Sequence, residues 1–219
     1  MPTLLLRLAG PLQSWGRGSR FDSRDTDTVP TQSGVIGLIA SAMGIKRYNQ
    51  ARLAEIARLH MGVLIEREGK LLVDYHTAMG AVKADGTSDE KETIQSQRQY
   101  LCDAEFLVGL ESNDEKLLRD IEHHLCFPTW QPFLGRKSCP PSKPIFVDLV
   151  PTNLQETFDS PTTLQNCGVK PGKYRLVIQS DNPQAALRLD VPVDFEQRIF
   201  SVRTVITQPV EVPDVSEQN

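Results

Sequence analysis

Apolar and polar positions divide the chain into short, well-marked runs. Leu4-Leu5-Leu6-Arg7-Leu8-Ala9 is apolar at nearly every position and predicts a central strand over 3–9. Residues 33–43 are apolar nearly all round, which predicts a buried helix. Thr31 or Ser33 can cap its free N–H groups, and Gly44 is placed to end it. Asn49 caps a second short helix over 50–59, with Leu53, Ile56, Ala57 and Leu59 on one side. His60–Glu66 reads as a strand, Glu68-Gly69 as a turn, and Lys70–Thr77 as the next strand. Residues 81–93 hold Asp85-Gly86 and six charged residues, and read as a long loop or hairpin tip. Order resumes at Ile94 and continues through Tyr100-Leu101-Cys102 into a further strand, Ala104–Leu110. Asp114 caps a helix over 115–125 with Leu117, Leu118, Ile121 and Leu125 facing the core, and 127–133 closes the series.

That order, read as strand, helix, strand, strand pair, strand, helix, strand, predicts an α+β chain. Residues 1–142 form a ferredoxin-like (RRM-like) βαββαβ domain with a hairpin, about 71–102, inserted between its second and third strands. Beyond about residue 143 prolines cluster and helical periodicity disappears. The runs Ile145–Val150, Tyr174–Gln179, Ala186–Val191 and Phe200–Ile206 predict a smaller, mainly β region over 143–208, and 209–219 reads as a disordered tail. Ferredoxin-like domains commonly use the sheet and its loops to recognise RNA, although a fold does not set a function.

Composition narrows the classes. At 219 residues, with 39% hydrophobic and 24% charged content, the chain reads as an ordinary soluble protein. No apolar run approaches the roughly 20 residues that span a bilayer, and the apolar N-terminal segment is too short for a signal peptide. Cys102, Cys126, Cys139 and Cys167 are widely spaced with no CxxC pair, which argues against a zinc cluster and a disulfide framework. The expectation is a reduced, cytoplasmic protein with no metal and no cofactor. The net charge of −4 resides wholly in residues 181–219, where seven acids face three bases, so residues 1–180 are neutral. Such a chain is no indiscriminate polyanion binder; RNA contact must rest on shape, stacking and a few placed cations.

The chemistry concentrates near the N-terminus. Gly10-Pro11-Leu12-Gln13-Ser14-Trp15-Gly16 follows the first strand, Arg17, Arg20 and Arg24 occupy the next loop, and Pro30-Thr31-Gln32-Ser33-Gly34 opens the apolar helix. A glycine turn, a tryptophan, spaced arginines and a helix N-terminus can build an anion site. An ordinary crossover with a core Trp15 and solvated arginines fits the same pattern.

Further runs carry a resemblance. Arg7–Gly16, Pro30–Ile39, Asp74-Tyr75-His76-Thr77, Glu92–Gln95 with Arg98–Asp103, and Pro132–Pro140 (PFLGRKSCP) stand in an order and spacing that resembles the CasD family of CRISPR-associated proteins. These are type I-E subunits of the Cascade surveillance complex. The resemblance covers about residues 3–150 by motif, and the remainder by length and texture. It implies a RAMP fold: a ferredoxin-like domain, a thumb-like hairpin and a small β region. It also implies a non-catalytic subunit that holds the 5′ handle of the CRISPR RNA, packs against the backbone subunit and the large subunit, and meets target DNA only indirectly.

On that resemblance, Arg17, Arg20 and Arg24 become phosphate contacts, since guanidinium forks onto phosphate and stacks on bases. Gln13 and Trp15 become base contacts, with a Trp15 packed beneath the loop as the alternative. Thr31, Gln32 and Ser33 join phosphate capture to capping. His76, Arg98 and Tyr100 at the hairpin neck, and Arg136 with Lys137 in a loop, complete the RNA-binding set. The hairpin tip, with Asp85, Asp89, Glu90 and Glu92, inserts between a neighbouring subunit and the guide RNA. The alternative is a metal-independent endoribonuclease of the kind found in the related type I-C protein, with His76, Tyr75 and Arg98 as its catalytic groups.

Overall fold

The computed structural model describes residues 1–16, 23–80, 82, 86–87 and 93–214. The first half runs β1 (Thr3–Ala9), β2 (Leu12–Gln13), β3 (Ser23–Arg24), α1 (Gln32–Ala42), α2 (Gln50–Ala57), β4 (His60–Arg67), β5 (Lys70–Met79), β6 (Thr93–Cys102) and β7 (Glu105–Glu111). The second half runs α3 (Glu115–Cys126), β8 (Phe146–Val150), α4 (Leu154–Asp159), α5 (Pro161–Asn166), β9 (Gly172–Gln179), β10 (Ala186–Asp194) and β11 (Ile199–Val212). Seven strands form one antiparallel sheet in the order β10-β11-β9-β4-β7-β1-β8.

β1 is buried at every residue because both faces of the sheet are covered. Leu4, Leu6 and Leu8 pack under the helices α1, α2 and α3, together with Val63, Phe106 and Val108. Leu5, Leu64 and Leu107 point the other way, onto Leu154, Phe158 and Leu164 of α4 and α5. The one charge in β1, Arg7, is held inside by Glu66 (2.7 Å), Glu105 (3.0 Å) and the Cys167 carbonyl (2.7 Å). The sheet therefore offers no open central face of the kind an RNA-recognition sheet uses.

Beside the large sheet stands a smaller one. β5 and β6 pair over ten positions, from Lys70↔Cys102 to Met79↔Thr93. β2 pairs antiparallel and β3 parallel to β6 at the hairpin base. One face of β5 carries Leu71, Val73, Tyr75 and Met79, all exposed; the other carries Asp74 and His76 opposite Arg98 and Ser96.

Four expectations need correction. Residues 127–133 hold no strand: the prolines at 128, 132, 140, 141 and 144 withdraw backbone donors, and the chain runs as coil to Ile145. The strand that completes the sheet beside β1 is β8 instead. The boundary expected at 142/143 does not divide the sheet, since β8 to β11 all belong to it. The disorder expected from 209 does not hold for Pro209–Val212, which pair with Gly172–Arg175. Finally, α4 and α5 lie where helical periodicity is absent. Six residues are too few to show a 3.6 period, but their caps are legible: Asn153 and Glu156 form a capping box, and Ser160-Pro161 opens α5.

Gly62 and Gly109 face each other across β4 and β7 and make a trough for α4. A Cβ at Gly109 would lie 2.6 Å from Leu154 Cδ1 and 2.9 Å from Phe158 Cε2. Gly109→Ala is expected to cost about 1–3 kcal/mol by overpacking, read as a lower urea midpoint. Gly37→Ala, in α1 with only Phe195 at 4.0 Å, should stabilise by up to about 1 kcal/mol. A Gly109→Ala midpoint at or above the parent value would contradict this packing.

Candidate nucleic-acid interface

The turn after β1 is built from the inside. Gln13 Nε2 donates to the Leu8 carbonyl (3.1 Å) and the Ala104 carbonyl (2.8 Å), and Gln13 Oε1 accepts from Trp15 Nε1 (3.1 Å). The indole lies on Gly34, where any Cβ would come within 2.8 Å of Trp15 Cε3. Gln13 and Trp15 are thus frame rather than surface, at 0% and 1% exposure. The indole N–H already has a partner and neither ring face is free for a base.

The N-terminus of α1 is also occupied. Thr31 Oγ1 accepts from Gly34 N (3.2 Å), and Asp190 Oδ2 accepts from Gln32 N (3.0 Å). Asp190 in turn takes a two-pronged pair from Arg203, Nε to Oδ1 at 2.7 Å and Nη2 to Oδ2 at 2.9 Å. Burial alone would raise the Asp190 carboxyl; hydrogen bonds and charge from Arg203, the Gln32 N–H and the charge of Arg188 hold it below its ordinary value. The phosphate expected at Thr31, Gln32 and Ser33 would meet a carboxylate already in place. Thr31 and Gln32 are buried, and of the three only half-buried Ser33 lines the groove beside α1.

The hairpin neck gathers several predicted residues. Arg24 pairs in register with Arg98, and Arg98 Nε donates to Ser96 Oγ (3.2 Å). Arg136 clamps the neck: Nη1 donates to the Gln99 carbonyl (3.0 Å) and Nη2 to those of Arg24 (2.9 Å) and Asp25 (3.2 Å). Its guanidinium lies 4.6 Å above the ring of buried Tyr100. Arg136 and Tyr100 are therefore a brace, not an RNA surface. Gly135, at φ 85°, lets this loop pass the Ser14 carbonyl, where a Cβ would sit at 1.6 Å. His76 shares the Arg98 face, whereas Tyr75 points to the opposite one, so the three residues of the endoribonuclease reading do not converge. Arg17, Arg20, Asp85, Asp89, Glu90 and Glu92 lie outside the described residues.

The open surface is a groove of about 980 Å³ between α1, the segment 45–48, the loop 130–137 and Phe195. Ser33, Gly34 and Gly37 form part of its floor, where the lack of side chains on the glycines deepens it. Lys46, Arg47 and Lys137 stand on its rim, exposed. Tyr48 is 67% exposed with Lys46 Nζ 5.7 Å from its ring centre, and Trp130 is 44% exposed. Trp130 is placed by its backbone N–H on the Ser41 carbonyl (3.3 Å) and by Thr129 N on the Ala42 carbonyl (2.7 Å), the free end of α1. Cations beside accessible aromatic faces are what single-stranded nucleic acid binding requires. Lys46, Arg47, Tyr48 and Trp130 went unread in the sequence. The signal was the Lys46-Arg47-Tyr48 triplet directly after the Gly44 helix stop.

Residues 3–206 match the family model described as CRISPR-associated protein (Cas_Cas5), and the chain belongs to this Cas5 family. The CRISPR system Cascade subunit CasD of Escherichia coli (strain K12) is 36% identical over 155 residues, which cover 66% of this chain and 69% of that protein. A solved structure described as "Crystal structure of Cas protein" is 36% identical with a TM-score of 0.76, covering 97% of this chain and 98% of the other. A chain of a "CRISPR RNA-guided surveillance complex" is 30% identical with a TM-score of 0.77, covering 96% and 91%. Within that family the chain is CasD-like in sequence.

Asp190 ties the β10–β11 hairpin to α1, and Asp190→Asn is expected to cost about 3–5 kcal/mol, because it leaves the Arg203 guanidinium buried without its counter-charge. Since the native carboxyl lies below its ordinary value of 3.8, its contribution is complete above that pH and is lost as pH falls through the lower native value. Urea midpoints of parent and variant across pH 2–7 should converge at the acid end; a constant gap would contradict the assignment.

Proposed function

We propose that this chain is a non-catalytic RNA-binding subunit of a type I-E CRISPR interference complex, working in the cytoplasm. It holds the 5′ handle of the CRISPR RNA and bridges the backbone and large subunits. The order β8-β1-β7-β4, with α1–α2 and α3 as crossovers, supports a ferredoxin-like core, and the β5–β6 hairpin supports the role of thumb. The observation that carries the reading is the groove, which sets three cations and two accessible aromatic rings beside the narrow floor of α1. Lys137 and Ser33 keep their proposed RNA roles there. Arg24, Arg98 and His76 offer a second contact line at the neck. Arg17 and Arg20, outside the described residues, belong to the same proposal.

The groove's share is tested by Lys46→Ala/Arg47→Ala/Lys137→Ala in the assembled complex. Each lost phosphate contact should lower the salt slope of guide binding by about 0.7, or about 2 for all three. Tyr48→Ala should weaken binding by ~1–3 kcal/mol through lost stacking. Guide binding with unchanged affinity and slope in the triple variant would refute the groove. Purified protein incubated with repeat RNA in EDTA should leave it intact; cleavage that His76→Ala abolishes would establish the endoribonuclease instead.

A further inference from the structure

A second cavity, of about 530 Å³, opens where β9 stops. β9 ends at Gln179, opposite Val205 of β11, and its last partner in β4 is Gly62. β4 continues outward to His60 and β11 to Ile199, so between them the sheet has a notch one strand wide. On the notch side, the β11 residues before Thr204 have no β9 residue opposite them; their ladder partners lie in β10. Three residues that line this notch each hold a buried side-chain atom without a hydrogen-bond partner: Gln32 Oε1, Gln179 Oε1 and Arg203 Nη1. Gln32 and Arg203 are only 2% and 5% exposed. The Gln32 amide is oriented by Nε2, which donates to the Ala57 and Leu59 carbonyls (both 3.1 Å), so its oxygen is the group left over. Arg203 gives Nε and Nη2 to Asp190, which leaves Nη1.

Buried polar atoms in native proteins are nearly always paired, so three together describe a complement. The complement carries two donors and one acceptor at the gap left by a missing strand. Extended polypeptide supplies that alternation of N–H and C=O. The rim is aliphatic, with Leu187 74% and Val202 51% exposed beside Leu59 and Val191. The one ring in its lining is the exposed imidazole of His60; no Trp, Tyr or Phe there offers a nucleobase a broad stacking surface.

We infer that the notch receives an extended segment of a neighbouring protein subunit, whose N–H groups meet the Gln32 and Gln179 oxygens and whose carbonyl meets Arg203 Nη1. The inference rests on the chain working within a multi-protein complex, and it concerns a surface separate from the RNA groove. A diazirine amino acid at position 187, in the complex assembled with its co-encoded subunits and guide RNA, should crosslink to an extended segment of one protein subunit. Gln179→Met should then lower the affinity for that subunit roughly tenfold, since a neutral hydrogen bond to the segment's backbone is lost. The same variant should leave the melting temperature of the free chain unchanged or raised, because the deleted oxygen has no internal partner. Crosslinks to the RNA, no crosslink in a complete complex, or full subunit affinity in Gln179→Met would each overturn the inference. Wild-type assembly without guide RNA would sink the proposed function alone and leave the crosslink to judge the notch.

Discussion

The constraint behind the whole structure is the two-sided burial of β1. A strand with leucines on both faces must be covered twice, by α1–α3 on one side and by α4–α5 on the other. Once both faces are filled, no part of the central sheet is left for a ligand. Binding surfaces must then form at helix margins, at strand ends and on the second sheet. The groove beside α1, the neck of the β5–β6 hairpin and the notch beyond β9 occupy those three kinds of place. The paired glycines at 62 and 109 belong to the same constraint, because they bring α4 close enough to seal the second face.

The second organising contact is the carboxylate of Asp190 at the head of α1. It satisfies a helix N–H, neutralises Arg203 and fastens the last hairpin of the chain to its first helix, 158 residues away in sequence. Arg188 and Asp27 repeat the tie nearby at 3.1 Å. This use of the helix terminus removes it from the list of anion sites and moves the cationic surface to the other end of α1. There Gly44 stops the helix and Lys46, Arg47 and Tyr48 emerge. The C-terminal strands are for this reason part of the main core, although their acidic surface sets them apart in composition.

The residues singled out from the sequence fall into two physical groups. Gln13, Trp15, Thr31, Gln32, Tyr100 and Arg136 shape the interface from behind: Gln13, Trp15, Thr31 and Arg136 spend polar groups on backbone or neighbouring side chains, Gln32 commits its Nε2 to two carbonyls, and Tyr100 lies buried beneath Arg136. Ser33, Arg24, His76, Arg98 and Lys137 lie nearer the surface. A motif that is distinctive because it builds a tight turn looks the same in sequence as one that touches a ligand. Both need glycines, polar caps and a large aromatic at fixed spacing, and only burial separates them.

Local rules were enough for much of the chain. The run of leucines in β1, the apolar run of α1, the period of α2 and α3, the caps of all three helices, the strands β4 to β7 and the family membership were all legible in the sequence, because each depends on neighbours within a few residues. The order of the sheet's outer strands, the cover on its second face, the occupant of the α1 terminus and the meeting of segments 45–48 and 130–137 depended on contacts between residues far apart in sequence, up to 158 positions for Gln32 and Asp190. Such pairings leave no period in the chain. They are chosen when buried area and paired charge outweigh the entropy of closing long loops, a balance settled only in the assembled core.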